Sequence, residues 1–148
     1  MKNSFNFIFV IFLVLGAMIA LISPSFAKDK KANNSVSHLV VDNYIKVATL
    51  GQTDQLGYIF ADDFKQTLSI NSKVENQSKT NVIEFLKSNK GLISNCETTY
   101  HFIENNKNCA IAKVIMKYEN FTKIEYVTLC KKKQEWKIRE CNSNCVIG

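Results

Sequence analysis

Apolar and polar positions along this chain follow two different periods, and the change between them divides it into a helical first half and a stranded second half. Val36, Leu39, Val40, Tyr44 and Val47 recur at spacings of three and four. That spacing predicts a helix with one apolar face, capped by Asn34 or Ser35 and ended by Gly51. Thr53 is placed to cap a shorter second helix that buries Leu56, Ile59 and Phe60. Phe64 to Ile70 reads as a strand, followed by the polar turn Asn71-Ser72-Lys73 and a weaker partner strand. Thr80 or Asn81 opens a third helix carrying Val82, Ile83, Phe85 and Leu86, and Gly91 stops it. Beyond that point the period falls to two. Ile93 to Glu104, Cys109 to Tyr118, Phe121 to Cys130 and Glu135 to Cys145 read as strands, separated by turn-prone segments such as Asn105-Asn106-Lys107-Asn108 and Glu119-Asn120. Helices first and a meander of strands after define an α+β domain with helices on one face of an antiparallel sheet.

The alternation also predicts register. Ala110, Ala112, Val114, Met116 and Tyr118 are apolar, as are Phe121, Val127 and Leu129 on the following strand. A two-residue turn at Glu119-Asn120 sets Tyr118 opposite Phe121, brings the two apolar faces together, and places Cys109 opposite Cys130 on the outer face. A Cys109–Cys130 disulfide is therefore expected, conditional on that turn, because a one-residue slip would send the two thiols to opposite faces. Across the lysine-rich turn Lys131-Lys132-Lys133, expected as a solvated hairpin tip, Leu129 is predicted near Trp136, Val127 near Ile138 and Glu125 opposite Glu140.

The first 27 residues change how the composition is read. Met1-Lys2-Asn3 is a short positive start, Phe7 to Ile22 is an unbroken run of apolar residues and glycine, and Ser25 and Ala27 are the small residues a signal peptidase requires. This predicts a cleavable signal peptide over 1–27, a flexible lead-in over 28–34 and one domain over 35–148. The competing reading is an uncleaved anchor, but the run is shorter than the roughly 20 residues of a spanning helix. Membrane contact is then expected only through the leader, and the product is exported, to the periplasm or the outside. The whole chain carries 19 basic and 13 acidic residues, net +6. Only Lys2 lies in the leader, so the mature part remains basic. Basic residues without an interleaved aromatic stripe argue against nucleic acid as a partner.

All five cysteines, Cys96, Cys109, Cys130, Cys141 and Cys145, lie in the second half. In an oxidising compartment they are read first as disulfides. The odd count leaves one over, and a Cys141–Cys145 pair with Cys96 free is the weaker assignment. No pair has C-x-x-C spacing and both histidines, His38 and His101, are remote from paired cysteines, so no metal and no cofactor are expected. For chemistry, Glu125 and Glu140 facing each other would suit proton transfer or binding of a polar ligand, unless Lys123 neutralises them. His101, between Tyr100 and Phe102, is a further candidate base.

Tyr44 followed by Gly51, Asp54, Leu56, Phe60, Ala61, Asp63 and Phe64, and then Glu125-Tyr126, Leu129 and Trp136-Lys137-Ile138, resemble the nuclear transport factor 2-like superfamily, in its lumazine-binding-like and SnoaL-like branches. The resemblance covers nearly all of the mature part and implies a cone-shaped roll: three N-terminal helices wrapped by a curved antiparallel sheet that leaves a pocket. It implies ligand-binding positions at Tyr44, Phe60, Val114, Glu125 and Trp136, and a homodimer through an outer face bearing Ile111, Ile115, Ile124 and Tyr126. The expected function is a non-catalytic domain that binds a small, partly apolar ligand or a protein partner. The alternative is a SnoaL-like or ketosteroid-isomerase-like enzyme using pocket carboxylates, Glu125 with Glu140 or His101, as acid and base.

Overall fold

The computed structural model describes residues 25–70 and 73–147, with side chains of the first helix from Val36 onward. Residues 32–148 form one compact unit, and of the separate unit before it only the helical backbone of 25–31 is described. The apolar run of the expected leader lies outside the described residues.

Helix α1 (Ser25–Leu50) begins earlier than its apolar spacing predicts and takes in the expected lead-in. Its buried stripe is Ser37, Val41, Tyr44 and Val47, while Val36 and Leu39 face solvent. The rotation relative to the predicted face is possible because Ser37 is not buried alone: its hydroxyl accepts from Asn105 Nδ2 at 3.2 Å. Gly51 ends the helix at φ +61, a conformation that costs a residue with a Cβ. A 3-10 turn (Thr53–Gln55) and the short helix α2 (Leu56–Ile59) follow and bury Leu56 and Ile59. Helix α3 (Lys79–Ser88) is capped by Ser78, whose hydroxyl accepts from the Asn81 amide, and it packs Val82 and Leu86 inward.

Strands β1 (Phe60–Ile70), β2 (Lys73–Ser78), β3 (Glu97–Asn105), β4 (Cys109–Lys117), β5 (Phe121–Lys132) and β6 (Glu135–Ile147) form one sheet in the order β2-β1-β6-β5-β4-β3. The three hairpins β3–β4, β4–β5 and β5–β6 are antiparallel, as expected. The β1–β6 pairing is parallel, and β1 covers the edge that β6 would otherwise leave open. Helices therefore cover one face of a curved sheet. Between them sits the core, including Val41, Tyr44, Phe60, Phe64, Val114, Met116, Val127, Leu129, Trp136 and Ile138.

The β4–β5 register is the predicted one. Tyr118 N donates to Phe121 O at 2.9 Å across the Glu119-Asn120 turn, the two rings stack at 4.4 Å, and Cys109 pairs with Cys130 in a disulfide with Cα atoms 4.2 Å apart. Closing that loop of 21 residues should stabilise the fold by about 3 kcal/mol on chain entropy. We expect a Cys109→Ser, Cys130→Ser double variant to lose that much in urea unfolding, and reductant to lower the wild type to the same midpoint. An unchanged midpoint would show that the cross-link adds nothing.

Register between β5 and β6 differs from the prediction. Their turn is Lys133-Gln134, with φ of 48 and 71, as a two-residue turn of the type that suits strand twist requires. Leu129 consequently faces Ile138 rather than Trp136. A bulge then places one extra β6 residue, Arg139, between Ile138 and Glu140, so Val127 meets Cys141 and Glu125 meets Ser143.

Candidate functional site

The bulge at Arg139 determines which side chains enter the cone. Ile138 points in, and after the extra residue Cys141 and Ser143 point in while Glu140 turns out to pair with Thr128. Glu140 is exposed and does not share a site with Glu125. The expected carboxylate pair is thus replaced by a carboxylate facing a hydroxyl and a thiol. The signal was present in the sequence: unbroken alternation from Trp136 and Ile138 would have forced Glu140, a charged residue, into the core.

Glu125 is completely buried. It is held by donor side chains from three elements. Tyr44 of α1 donates to Oε2 at 2.7 Å. Ser143 of β6 donates to Oε1 at 2.8 Å, and Lys123, two residues earlier on β5 and therefore on the same face, pairs with Oε1 at 2.7 Å. Gln66 of β1 donates to Ser143 Oγ at 3.2 Å, extending the network outward. Cys141 Sγ lies 3.6 Å from both Tyr44 Oη and Ser143 Oγ. Burial pushes the Glu125 carboxyl up, but the Lys123 charge and the hydrogen bonds from Lys123, Tyr44 and Ser143 outweigh it and bring it below the usual range. Burial likewise opposes the Lys123 charge and is outweighed by Glu125, so the ammonium is held. Burial drives the Tyr44 phenol well above its ordinary value, and the Cys141 thiol up to about 12. The set is an ion pair with neutral tyrosine, serine and thiol around it.

The thiols differ in access. Cys96, Cys141 and Cys145 are free, and the expected Cys141–Cys145 bridge is not formed. The two lie four residues apart on one extended strand, about 13 Å at strand rise, far beyond disulfide reach. Cys96 and Cys145 are half-buried whereas Cys141 is buried. Iodoacetamide at pH 8 should modify Cys96 and Cys145 in the folded protein and reach Cys141 only after denaturant is added, as read by peptide mass spectrometry. Equal labelling of all three would contradict the burial of Cys141.

His101 is exposed on the outer face opposite Lys113, so it does not reach the cone. A strand alternates faces, and its neighbours Tyr100 and Phe102 take the inward positions. His38 meets both, with Nδ1 3.0 Å from Tyr100 Oη and its ring edge-on to Phe102. Burial, with an Asp42 contact, raises the Tyr100 phenol to about 12. Tyr44, Phe60, Val114, Glu125 and Trp136, the residues the resemblance implied as lining, all lie in the core. Among the described residues Trp136 Nε1 is the one buried side-chain polar atom without a hydrogen-bond partner. Ser143, Cys141 and Gln66 are the site residues that sequence reasoning missed, because their placement depends on the bulge and on the parallel β1–β6 pairing.

A cone of curved sheet over three helices, with polar groups converging inside, is the architecture of NTF2-like proteins. The structure is similar to an NTF2-like protein of unknown function from Silicibacter pomeroyi (13% identity, TM-score 0.64, covering 80% of this chain and 98% of that one). It is also similar to NTF2-like proteins from Cytophaga hutchinsonii (12%, TM-score 0.63, 76% and 98%) and Methylobacillus flagellatus (16%, TM-score 0.61, 85% and 96%). No curated protein matches the chain. Residues 32–140 match the family described as "Putative lumazine-binding", and the chain belongs to that family.

Proposed function

We propose that this protein is an exported, non-catalytic binding domain that takes a small, partly apolar ligand at the cone interior, with the ligand's polar end meeting the Lys123–Glu125–Tyr44–Ser143 set. The observation that carries the reading is this group of hydrogen-bonded polar side chains inside an otherwise apolar core. A buried ion pair is weak as a device for stability, whereas a few convergent polar groups among apolar walls are what orients a small ligand. The family description points the same way, toward a lumazine-type heterocycle whose amide edges need both donors and acceptors. Lys123 is the least buried member of the set.

Against proton-transfer chemistry stands the state of Glu125. A carboxylate held below its usual range by three donors is a weak base, and catalysis favours a pKa near the working pH. Export is supported by the leader pattern and by a cross-strand disulfide suited to an oxidising compartment. An outer face with half-buried Ile111, Ile115 and Ile124 and an exposed Tyr126, its ring 5.8 Å from Lys113 Nζ, supports a homodimer. Sedimentation velocity of wild type and Ile124→Lys tests that face: a dimer lost in the variant supports it, and a wild-type monomer removes it.

Native mass spectrometry of protein purified from its own compartment tests the main reading, followed by titration with lumazine for wild type and Glu125→Gln. A mature chain beginning at Lys28 with a retained small molecule, and weaker binding by the variant, is expected. A chain that keeps its leader would overturn export. Turnover of the retained molecule, abolished in Glu125→Gln, would replace binding with catalysis.

A further inference from the structure

Away from the cone, a cleft of about 360 Å³ opens between the start of β1 and the tip of the β5–β6 hairpin. Two irregularities make it. The β1 register slips between Phe60 and Lys65, which carries Asp62 and Asp63 out over the sheet, and the β6 bulge presents Arg139 beneath them. Arg139 pairs with Asp63, and its hydrogen bond, with the nearby Lys132 charge adding, holds the Asp63 carboxyl below the usual range.

The charges that line this cleft do not balance. Its three acids are each engaged: Asp63 by Arg139, Glu135 by Lys137 at 3.1 Å, and Asp62 by Lys79 from outside the cleft at 3.4 Å. Lys131, Lys132 and Lys133 also line it, and among the described residues none of them enters an ion pair. With Lys137 and Arg139 the lining carries five cationic residues against three carboxylates, an excess of positive charge on one concavity.

The backbone that carries these lysines is well defined. Lys133 and Gln134 both sit at positive φ, which favours glycine or asparagine in such turns, so the tip is held in a tight two-residue turn. Behind it the Cys109–Cys130 disulfide ties β5 to β4, and Lys131 N donates to Asn108 O at 2.7 Å.

We propose that this cleft is a second binding site, separate from the cone, for a phosphate-type oxyanion. Lys131, Lys132 and Lys133 supply the charge and Lys137 the adjoining donor. Arg139, committed to Asp63, shapes the floor. The cleft volume admits a diphosphate or a phosphate ester, and its lysines act as point charges for phosphate oxygens. The oxyanion can come from a free small molecule or from a lipid headgroup.

The test uses the full disulfide-bonded protein. Inorganic pyrophosphate is titrated by calorimetry, and co-sedimentation is measured with phosphatidylcholine vesicles with and without phosphatidylglycerol, all at roughly 0.15 M salt, where long-range attraction is screened. Lys131→Gln, Lys132→Gln, Lys133→Gln is compared with a charge-matched control, Lys87→Gln, Lys90→Gln, Lys117→Gln, after equal melting midpoints show that both fold. Saturable pyrophosphate binding, weakened about tenfold by the cleft variant and little by the control, supports the site with a free phosphate ligand. Binding only to the anionic vesicles, with the same variant pattern, assigns the oxyanion to a lipid headgroup. Binding to neither probe, or equal loss in both variants, overturns the proposal.

Discussion

Glu125→Ala should destabilise the protein by about 3 kcal/mol, one of two large effects expected at single positions. The substitution removes the acceptor shared by Tyr44, Ser143 and Lys123 and leaves a void where a fully buried side chain stood. The tyrosine and serine hydroxyls lose their partner with little access to water, and a buried donor without an acceptor costs about 1–3 kcal/mol. Lys123 is partly exposed and can turn its ammonium outward, which keeps the loss at the low end of what a broken buried ion pair costs. Glu125→Gln keeps shape and an acceptor and should lose about half as much. Urea unfolding of the two variants checks this, and an alanine variant within 0.5 kcal/mol of wild type would show that the network does not hold the cone.

The same carboxylate sets an acid limit. Its folded-state pKa is depressed, so its contribution is complete above the unfolded value of about 4.3 and is lost as pH falls through the lower folded value. Wild type and Glu125→Gln should therefore differ in stability at pH 7 and converge below about pH 4. A gap that persists to the lowest pH at which both fold would mean that ionisation of Glu125 is not what distinguishes them.

Gly51→Ala is the second large effect, at about 3 kcal/mol. Gly51 has φ +61, and a Cβ there would stand 2.5 Å from Gly91 N and 2.6 Å from Asn89 O. Both are backbone atoms and neither can step aside, because Gly91 N donates to Gly51 O at 3.1 Å and the neighbouring Ser94 N donates to Thr49 O at 2.7 Å. The close approach ties the end of α1 to the loop after α3. Gly91 supplies the contrast: its φ is +76, but a Cβ there meets nothing within 4 Å, so Gly91→Ala should cost about 1 kcal/mol, from backbone strain alone. Thermal and urea unfolding of both variants would test the difference, and equal losses would refute the steric part.

Much of this architecture was legible because its elements are specified locally. The shift from a period near 3.6 to a period of two marks where helices end and the strand meander begins, and Gly51 and Gly91 stand where α1 and α3 give way to loops. The Tyr118–Phe121 register, with the Cys109–Cys130 disulfide that follows from it, rests on one short turn and two alternating strands. Such features need only neighbours in sequence, so the residues themselves carry them. The proposed export likewise rests on local pattern, in the first 27 residues.

The inside of the cone was decided by tertiary structure. One extra residue at Arg139 reverses the faces of β6 beyond it, removing Glu140 from the interior and bringing in Cys141 and Ser143. Period-two reasoning flags the misfit, a charged Glu140 at an inward position, but does not say where the extra residue goes, since a bulge is stabilised by what packs on it, here Asp63 from β1. The parallel β1–β6 pairing that adds Gln66, and the rotation of α1 that buries Ser37 against Asn105, join residues about 70 positions apart. The sequence by itself determined the order of helices and strands, and one strand register. Only the folded chain decided which polar groups meet inside, because a shift of a single residue exchanges the two faces of a strand.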